Sequence, residues 1–268
     1  MGCKIIAEIG WNHMGDINLA KKMIDAAKDC GADYVKFQTW SVKHLKSGTW
    51  DLDGRKQIYE KAELTEEKHE QLKKYCDKKK IKFLSSIFNS EHISLLRELG
   101  CSEIKIASCE ALNFELIQEC LKNFNHIYIS TGGLTHKELE EVLGFTQPYA
   151  DKITLLHCVS LYPCSAEESN IERIRLLQVL HRGKVGYSDH THGTAAAYMA
   201  IAKGATVVEK HFTIDNNLPG RDNLNACLPE ELKKICYFRD IHEKCIDSVK
   251  LDRDEKEAGF EEFRGRWS

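Results

Sequence analysis

Short runs of β-branched and apolar residues alternate along this chain with longer stretches in which apolar residues recur every three or four positions. The short runs predict strands and the longer ones amphipathic helices, because side chains repeat every two residues on a strand and every 3.6 on a helix. Strand Lys4–Ile9 is followed by helix Asn18–Cys30, and strand Tyr34–Phe37, after a long polar loop, by helix Glu66–Lys79. Strand Ile81–Ile87 precedes helix Glu91–Leu99, strand Glu103–Ala107 helix Asn113–Lys122, and strand His126–Ser130 helix His136–Leu143. Strand Lys152–Cys158 precedes helix Ile171–His181, strand Lys184–Ser188 helix Thr194–Lys203, and strand Thr206–Phe212 helix Pro229–Cys245. Each helix must carry the chain back across the sheet, so the strands pair in parallel. Eight such units fit an α/β fold of the (β/α)₈ TIM-barrel type in one domain, residues 1–250, followed by a charged tail, residues 251–268. An open doubly wound sheet has the same periodicity and stays as the alternative. Gly31, Gly100 and Gly204 fall just after helices, where a left-handed cap is cheap for glycine.

Closure into a barrel makes a demand on the polar residues, since loops from all eight strands converge on one face and catalytic groups collect there. Strand ends carry Glu8, Lys36 and Gln38, Ser85-Ser86, Lys105 with Ser108 and Glu110, and Ser130-Thr131-Gly132-Gly133. The later strands end in His157 with Ser160 and Tyr162, in Ser188-Asp189-His190, and in Glu209 with His211. Alternation puts Lys36 with Gln38, Ser188 with His190, and Glu209 with His211 on common faces. A lysine facing the helix layer would be buried and unpaired at high cost, so the inward, ligand-holding orientation is favoured.

Composition narrows the function. Hydrophobic residues make up 42% of the 268 residues, enough for a sizeable core, and the net charge of −3 is spread over both signs. No basic face calls for nucleic acid and no polybasic run for an anionic membrane. The N-terminus carries Glu8 where a signal peptide needs an apolar core, and no run approaches the roughly 18 apolar residues of a membrane span. The 11 cysteines lack CxxC spacing, which sets aside a structural zinc site and predicts reduced thiols in a cytoplasmic protein.

His190 and His211 on neighbouring strands, in matching phase, suit a divalent metal with open positions. Glu209 is read as a ligand or as a partner that orients an imidazole. A His190-x-His192 metal pair is weighed and set aside, because His192 falls past the strand; His13 and His157 are read as structural or substrate-positioning. Lys36 and Lys105, with Ser86, Ser108, Ser130 and Ser188, form a ring of cationic and hydroxyl donors that suits a small dianion. The same two lysines keep a Schiff-base aldolase open as a competing chemistry.

As a set, these residues resemble the sialic acid synthase family. The resemblance runs through Ile6-Ala7-Glu8-Ile9-Gly10-Trp11-Asn12-His13, Gly31-Ala32-Asp33-Tyr34-Val35-Lys36-Phe37-Gln38 and Ile104-Lys105-Ile106-Ala107-Ser108. It continues in Ser130-Thr131-Gly132-Gly133, His157-Cys158-Val159-Ser160-Leu161-Tyr162-Pro163, Gly186-Tyr187-Ser188-Asp189-His190-Thr191, Glu209-Lys210-His211-Phe212-Thr213 and Leu218-Pro219-Gly220-Arg221-Asp222, so that it covers residues 4–245. What it implies is a transferase of nonulosonic acid biosynthesis. C3 of phosphoenolpyruvate attacks the aldehyde of an open-chain, N-acetylmannosamine-like amino sugar, water adds at C2 and phosphate leaves. It further implies a divalent ion on His190 and His211, with Mn²⁺ ranked ahead of Mg²⁺ and Co²⁺. Phosphoenolpyruvate contacts carry over to Lys36, Ser86, Lys105, Ser108, Ser130, Ser160 and Ser188. Sugar and acid–base positions carry over to Glu8, Gln38, Tyr162 and Asp222, with Glu110 as an acid near the reacting centre.

Departures bear on the sugar rather than on the phosphate and metal chemistry. Members of that family usually carry an antifreeze-like domain after the barrel, which reaches across a dimer and supplies an arginine to the sugar pocket. This chain stops at Ser268, so the expected completion is a homodimer contact, a separate lid-supplying partner, or the tail itself. Ser86-Ile87-Phe88 replaces a common Thr-Pro-Phe, Asn223 stands where a histidine often follows Asp222, and the loop Trp50–Tyr59 diverges. A non-catalytic sugar-phosphate binder or regulatory barrel is the remaining alternative.

Overall fold

The computed structural model describes residues 2–48, 52, 54–247 and 252–267. Eight parallel strands close into a barrel in sequence order: β1 (Lys4–Gly10), β2 (Tyr34–Thr39), β3 (Lys82–Ile87), β4 (Glu103–Ile106), β5 (His126–Ser130), β6 (Ile153–Cys158), β7 (Lys184–Asp189) and β8 (Val207–His211). The last strand closes on the first with Lys4–Glu8 set against Val207–His211, so the open sheet is excluded. Around the barrel lie α1 (Ile17–Asp29), α2 (Arg55–Ala62), α3 (Glu66–Lys79), α4 (Ile93–Glu98), α5 (Phe114–Asn123), α6 (His136–Thr146), α7 (Arg173–Leu180), α8 (Ala195–Ala202) and α9 (Pro229–Ile246).

Local chemistry accounts for the helices. Asp16 caps α1 by accepting from the Asn18 and Leu19 amides, and the helix buries Ala20, Met23, Ile24 and Ala27 at the three-and-four spacing of one face. Thr135 and Glu138 form a reciprocal capping box at the start of α6. The glycines expected as caps do adopt left-handed backbone, with φ of 91° at Gly31, 76° at Gly100 and 83° at Gly204. Helix α2 was not predicted: it falls where the sequence reads as a polar loop, and Ala62 is its buried residue. Of the divergent loop Trp50–Tyr59, residues 50, 51 and 53 lie outside the described residues.

Two apolar cores divide the molecule. The larger fills the space between barrel and helices, with Ile5, Ala7, Val35, Phe37, Ile104, Ile127, Leu155 and Val208 pointing outward from the strands. The smaller lies inside, where Ile6, Tyr34, Leu84, Tyr128, Leu156 and Val207 form a floor. Two residues further along each of these strands, the same inward phase delivers Glu8, Lys36, Ser86, Ser130, Cys158 and Glu209. The floor therefore ends where the polar mouth begins. Gly186 makes it possible, because a Cβ there would sit 2.4 Å from Val207 Cγ1 and 2.5 Å from Leu156 Cδ2.

The described part of the tail, residues 252–267, is exposed throughout. A 3-10 segment, Glu255–Phe263, is exposed along its length, and Phe260, Phe263 and Trp267 all face solvent. One of its polar contacts is internal, between Arg253 and Glu261.

Candidate active site

Strand register assembles the mouth. Glu8 lies opposite Lys36 on β2 and His211 on β8, Ser86 opposite both Gln38 and Lys105, and Ser188 opposite Glu209. These side chains converge on a cavity of about 260 Å³. At its bottom four charged groups interlock. Lys36 Nζ lies 2.9 Å from Glu8 Oε2 and 3.8 Å from Glu209 Oε1, and donates to Ser86 Oγ at 2.7 Å. Lys105 Nζ reaches both oxygens of Glu209 at 3.2 and 3.1 Å, and the Ser188 hydroxyl donates to Glu209 Oε1 at 3.3 Å.

Buried ions survive only when paired, and this network separates its two carboxylates. Burial works to raise Glu209, but Lys105 and Lys36 outweigh it and hold the carboxyl at about 2. For Glu8 burial prevails over Lys36, the neighbouring Glu209 adds to it, and the carboxyl is pushed up to about 7. Burial would lower Lys36, yet Glu209 and Glu8 more than compensate and raise it, so this ammonium stays charged. With Glu8 protonated, the two lysines and Glu209 carry one net positive charge at the base of the cavity. Gln38 donates to Glu8 Oε1 at 2.9 Å and fixes that carboxyl. The Ser130 hydroxyl lines the cavity, buried and without a hydrogen-bond partner.

A loop closes the far wall. Gly132 N–H donates to Ser108 Oγ at 3.0 Å. A Cβ on Gly132 would lie 2.4 Å from Ser160 Oγ, 2.9 Å from Cys158 Sγ and 3.0 Å from Ser108 Oγ, so glycine keeps this corner open. Higher up stand the two imidazoles, with ring centroids 5.6 Å apart. His190 Nδ1 donates to the Val159 carbonyl at 2.8 Å, which leaves Nε2 free of that bond. His211 Nδ1 is buried without a hydrogen-bond partner and lies 3.8 Å from Asp222 Oδ2. Burial lowers His211 and favours its neutral form, although Asp222 and Glu209 oppose the shift. The Tyr162 ring covers both, 4.0 Å from His190 and 5.8 Å from His211.

Every candidate but one meets at this mouth. Glu8, Gln38, Lys36, Ser86, Lys105, Ser108, Ser130, Ser160, Tyr162, Ser188, His190, Glu209 and His211 line the one cavity, and Asp222 stands beside His211. Glu110 does not. It lies beyond the short β4 strand, accepts from Asn113 Nδ2 at 2.9 Å, and lines an adjacent groove with Trp40, Tyr59 and Phe88. Glu209 accepts hydrogen bonds from Lys105 and Ser188, because the two ammonium groups compete for its charge. His192 is exposed in the turn after β7. His13 and His157 are structural: His13 Nδ1 accepts from the Gly15 amide at 2.9 Å, and His157 Nε2 donates to the Ser169 carbonyl at 2.8 Å. Asn223 is buried, and its amide donates to the Asn12 and Pro219 carbonyls.

Sequence reasoning missed an aromatic wall. Trp11 stacks on Tyr59 of α2 at 4.8 Å, Tyr59 meets Trp40 edge-on at 5.2 Å, and Trp11 Nε1 donates to Asp222. Tyr59 offered no signal because its helix was unread. It also missed Cys158, whose position one inward step beyond Leu156 was the available clue, and the buried pair of Asp189 with Lys210.

A closed (β/α)₈ barrel with a charged, solvent-connected mouth at the C-terminal strand ends is the architecture of a barrel enzyme. The NeuB family model matches residues 23–249, and the chain belongs to that family. It is 39% identical to the N,N'-diacetyllegionaminic acid synthase of Campylobacter jejuni over 261 residues, which span 92% of this chain and 78% of the relative. Identity to the N-acetylneuraminate-9-phosphate synthase of Mus musculus is 30%, over 92% of this chain and 72% of that one. The crystal structure of N-acetylneuraminic acid synthetase from Leptospira borgpetersenii superposes with a TM-score of 0.87 at 31% identity, covering 100% of this chain and 94% of that one. A truncated 3-deoxy-D-arabino-heptulosonate 7-phosphate synthase from Thermotoga maritima shares the fold, with a TM-score of 0.70 at 13% identity.

Proposed function

We propose that this chain condenses phosphoenolpyruvate with an amino-sugar aldehyde to give a nonulosonic acid and inorganic phosphate. The observation that carries the reading is the convergence of two buried lysines and an unpartnered Ser130 hydroxyl on a small cavity directly below two imidazoles. Lys36, Lys105 and the hydroxyls of Ser86, Ser108, Ser130, Ser160 and Ser188 hold the phosphate and carboxylate of phosphoenolpyruvate. Its C3 bonds to the aldehyde carbon while the carbonyl oxygen takes a proton. Water then adds at C2, the C2–O bond to phosphate breaks, and the ketone forms. Holding both substrates in one mouth offsets the weak nucleophilicity of an enol ether.

Glu8, pushed up to about 7, has the proton affinity that a group exchanging protons near neutral pH requires, and Gln38 aims it. Tyr162 and Asp222 flank the position of the aldehyde. His190 and His211 fit a divalent ion such as Mn²⁺. Their donor set suits a borderline metal, His211 Nδ1 is a buried nitrogen without a hydrogen-bond partner, and His190 is oriented through Val159. Among the described residues no group of three ligand-type side chains surrounds one point, and His190 and His211 are the residues that would hold such an ion. When bound, such an ion supplies Lewis-acid polarisation of the aldehyde oxygen.

A Schiff-base mechanism is disfavoured by the same network. A nucleophilic lysine must shed its proton, and the two carboxylates raise Lys36 rather than lower it. Among the described residues no helix is long and apolar enough to cross a membrane, and we place the enzyme in the cytoplasm, where phosphoenolpyruvate is made. The test is a panel of amino-sugar aldehydes, N-acetylmannosamine and a diacetamido 6-deoxy aldose among them. Each is incubated with phosphoenolpyruvate and Mn²⁺, and products are read by mass spectrometry. A product heavier than the aldose by one pyruvate is expected from at least one; none from the whole panel overturns the reading.

A further inference from the structure

Asp189 and Lys210 lie one residue from each imidazole, on the opposite face of the wall. They are register partners on β7 and β8. Alternation sends them outward, in phase with Tyr187 and Val208 of the outer core. Both are buried, with side chains 0% and 3% exposed. Lys210 Nζ donates to Asp189 Oδ2 at 2.8 Å and to the Thr191 carbonyl at 2.7 Å. Asp189 Oδ1 accepts from the Thr191 amide at 2.9 Å and from its hydroxyl at 2.8 Å. The backbone is therefore tied down on either side of His190, whose own carbonyl accepts from the Cys164 amide at 2.9 Å. An apolar pair of similar volume would fill this layer without the desolvation cost of two ions. What only the charged pair provides is a cross-link of fixed length between the two strands and the turn after β7.

We infer that the Asp189–Lys210 pair is a positioning clamp that holds His190 in its Nδ1–H orientation beside His211. It rests on the proposed role of the two imidazoles, but its geometry is separable from metal binding. The test uses protein labelled with ¹⁵N-histidine. In the wild type, the side-chain ¹H–¹⁵N spectrum should show His190 as one tautomer protonated at Nδ1. Lys210→Met should replace that signature with a mixture of tautomers. It should also weaken Mn²⁺ binding, followed by electron paramagnetic resonance, at least tenfold, with the KM for phosphoenolpyruvate changed less than twofold. Lys210→Arg should recover part of the single-tautomer signal. If Lys210→Met does not accumulate folded, the Asp189→Asn, Lys210→Gln double variant, neutral on both sides, is judged by the same criteria. A folded variant whose His190 spectrum matches the wild type overturns the clamp. Wild-type protein that binds no Mn²⁺ contradicts the metal reading instead and leaves the spectrum to decide the clamp.

Discussion

Lys36 and Lys105 look alike in sequence, but they are held differently. Lys36 is shared among Glu8, Glu209 and Ser86, whereas Lys105 is bound to Glu209 alone within hydrogen-bonding distance. An incoming phosphate can compete for Lys105 by displacing one partner. Lys105→Met should therefore raise the KM for phosphoenolpyruvate at least tenfold in a phosphate-release assay, a loss of about 1.4 kcal/mol or more; an unchanged KM removes Lys105 from the anion cradle. His211→Ala should abolish both Mn²⁺ binding and turnover, while circular dichroism shows the fold intact. A retained rate would take His211 out of the metal site. Most of these side chains were legible because inward phase and strand-end position are properties of the sequence itself. The position of Glu209 was readable, but its sharing between two ammonium groups was not. Alternation could have found the Asp189–Lys210 pair, had the outward phase of Asp189 been set beside that of Lys210.

Among the elements, strands were easier to read than loops. All eight strands and the helices that connect them fall within about two residues of their expected ends, apart from α6, which runs three residues further, to Thr146. Their apolar residues must face a core, and that need writes a period into the sequence. Helix α2 escaped because it packs through few residues: Ala62 is buried and Tyr59 stacks on Trp11, too little for a period. Glu110 stands at the edge of the site, since β4 ends at Ile106 and a 3-10 turn, Ser108–Glu110, sets the acid in a groove that shares Gln38, Phe88 and Cys109 with the cavity. Packing inside the barrel gives a prediction at this scale. Gly186→Ala places a Cβ 2.4 Å from Val207 Cγ1 and 2.6 Å from the Val207 carbonyl oxygen. The backbone oxygen cannot swing aside, so the variant should lose about 2 kcal/mol or more in urea denaturation. Stability equal to the wild type would show that β7 and β8 can separate locally.

Across the whole molecule, buried titratable groups set how stability depends on pH. Burial lowers both His13 and His157 from 6.5 to about 4. Their folded values lie below their unfolded ones, so between pH 6.5 and 4 the unfolded chain takes up protons that the fold refuses, and stability falls with pH. Glu8, raised from 4.5 to about 7, acts in the opposite sense over nearly the same window. Burial also lowers His69, His92, His126, His181 and His211, so the lowered histidines outnumber the raised Glu8 carboxyl and the net effect of acidification is a loss of stability. The urea midpoint should therefore be lower at pH 5 than at pH 7, and His157→Gln should shrink the difference. A midpoint that rises on acidification would contradict the balance. Closure of the barrel was the global feature that periodicity left open, because an open sheet has the same repeat, and the β8–β1 pairing settles it. The most direct measurement of the proposed function is phosphate release from phosphoenolpyruvate by the wild-type chain with Mn²⁺. Release only after an amino-sugar aldehyde is added, and its loss in EDTA, is the predicted result. Release without any aldehyde, or an EDTA-resistant reaction that borohydride traps on Lys36 or Lys105, would contradict it.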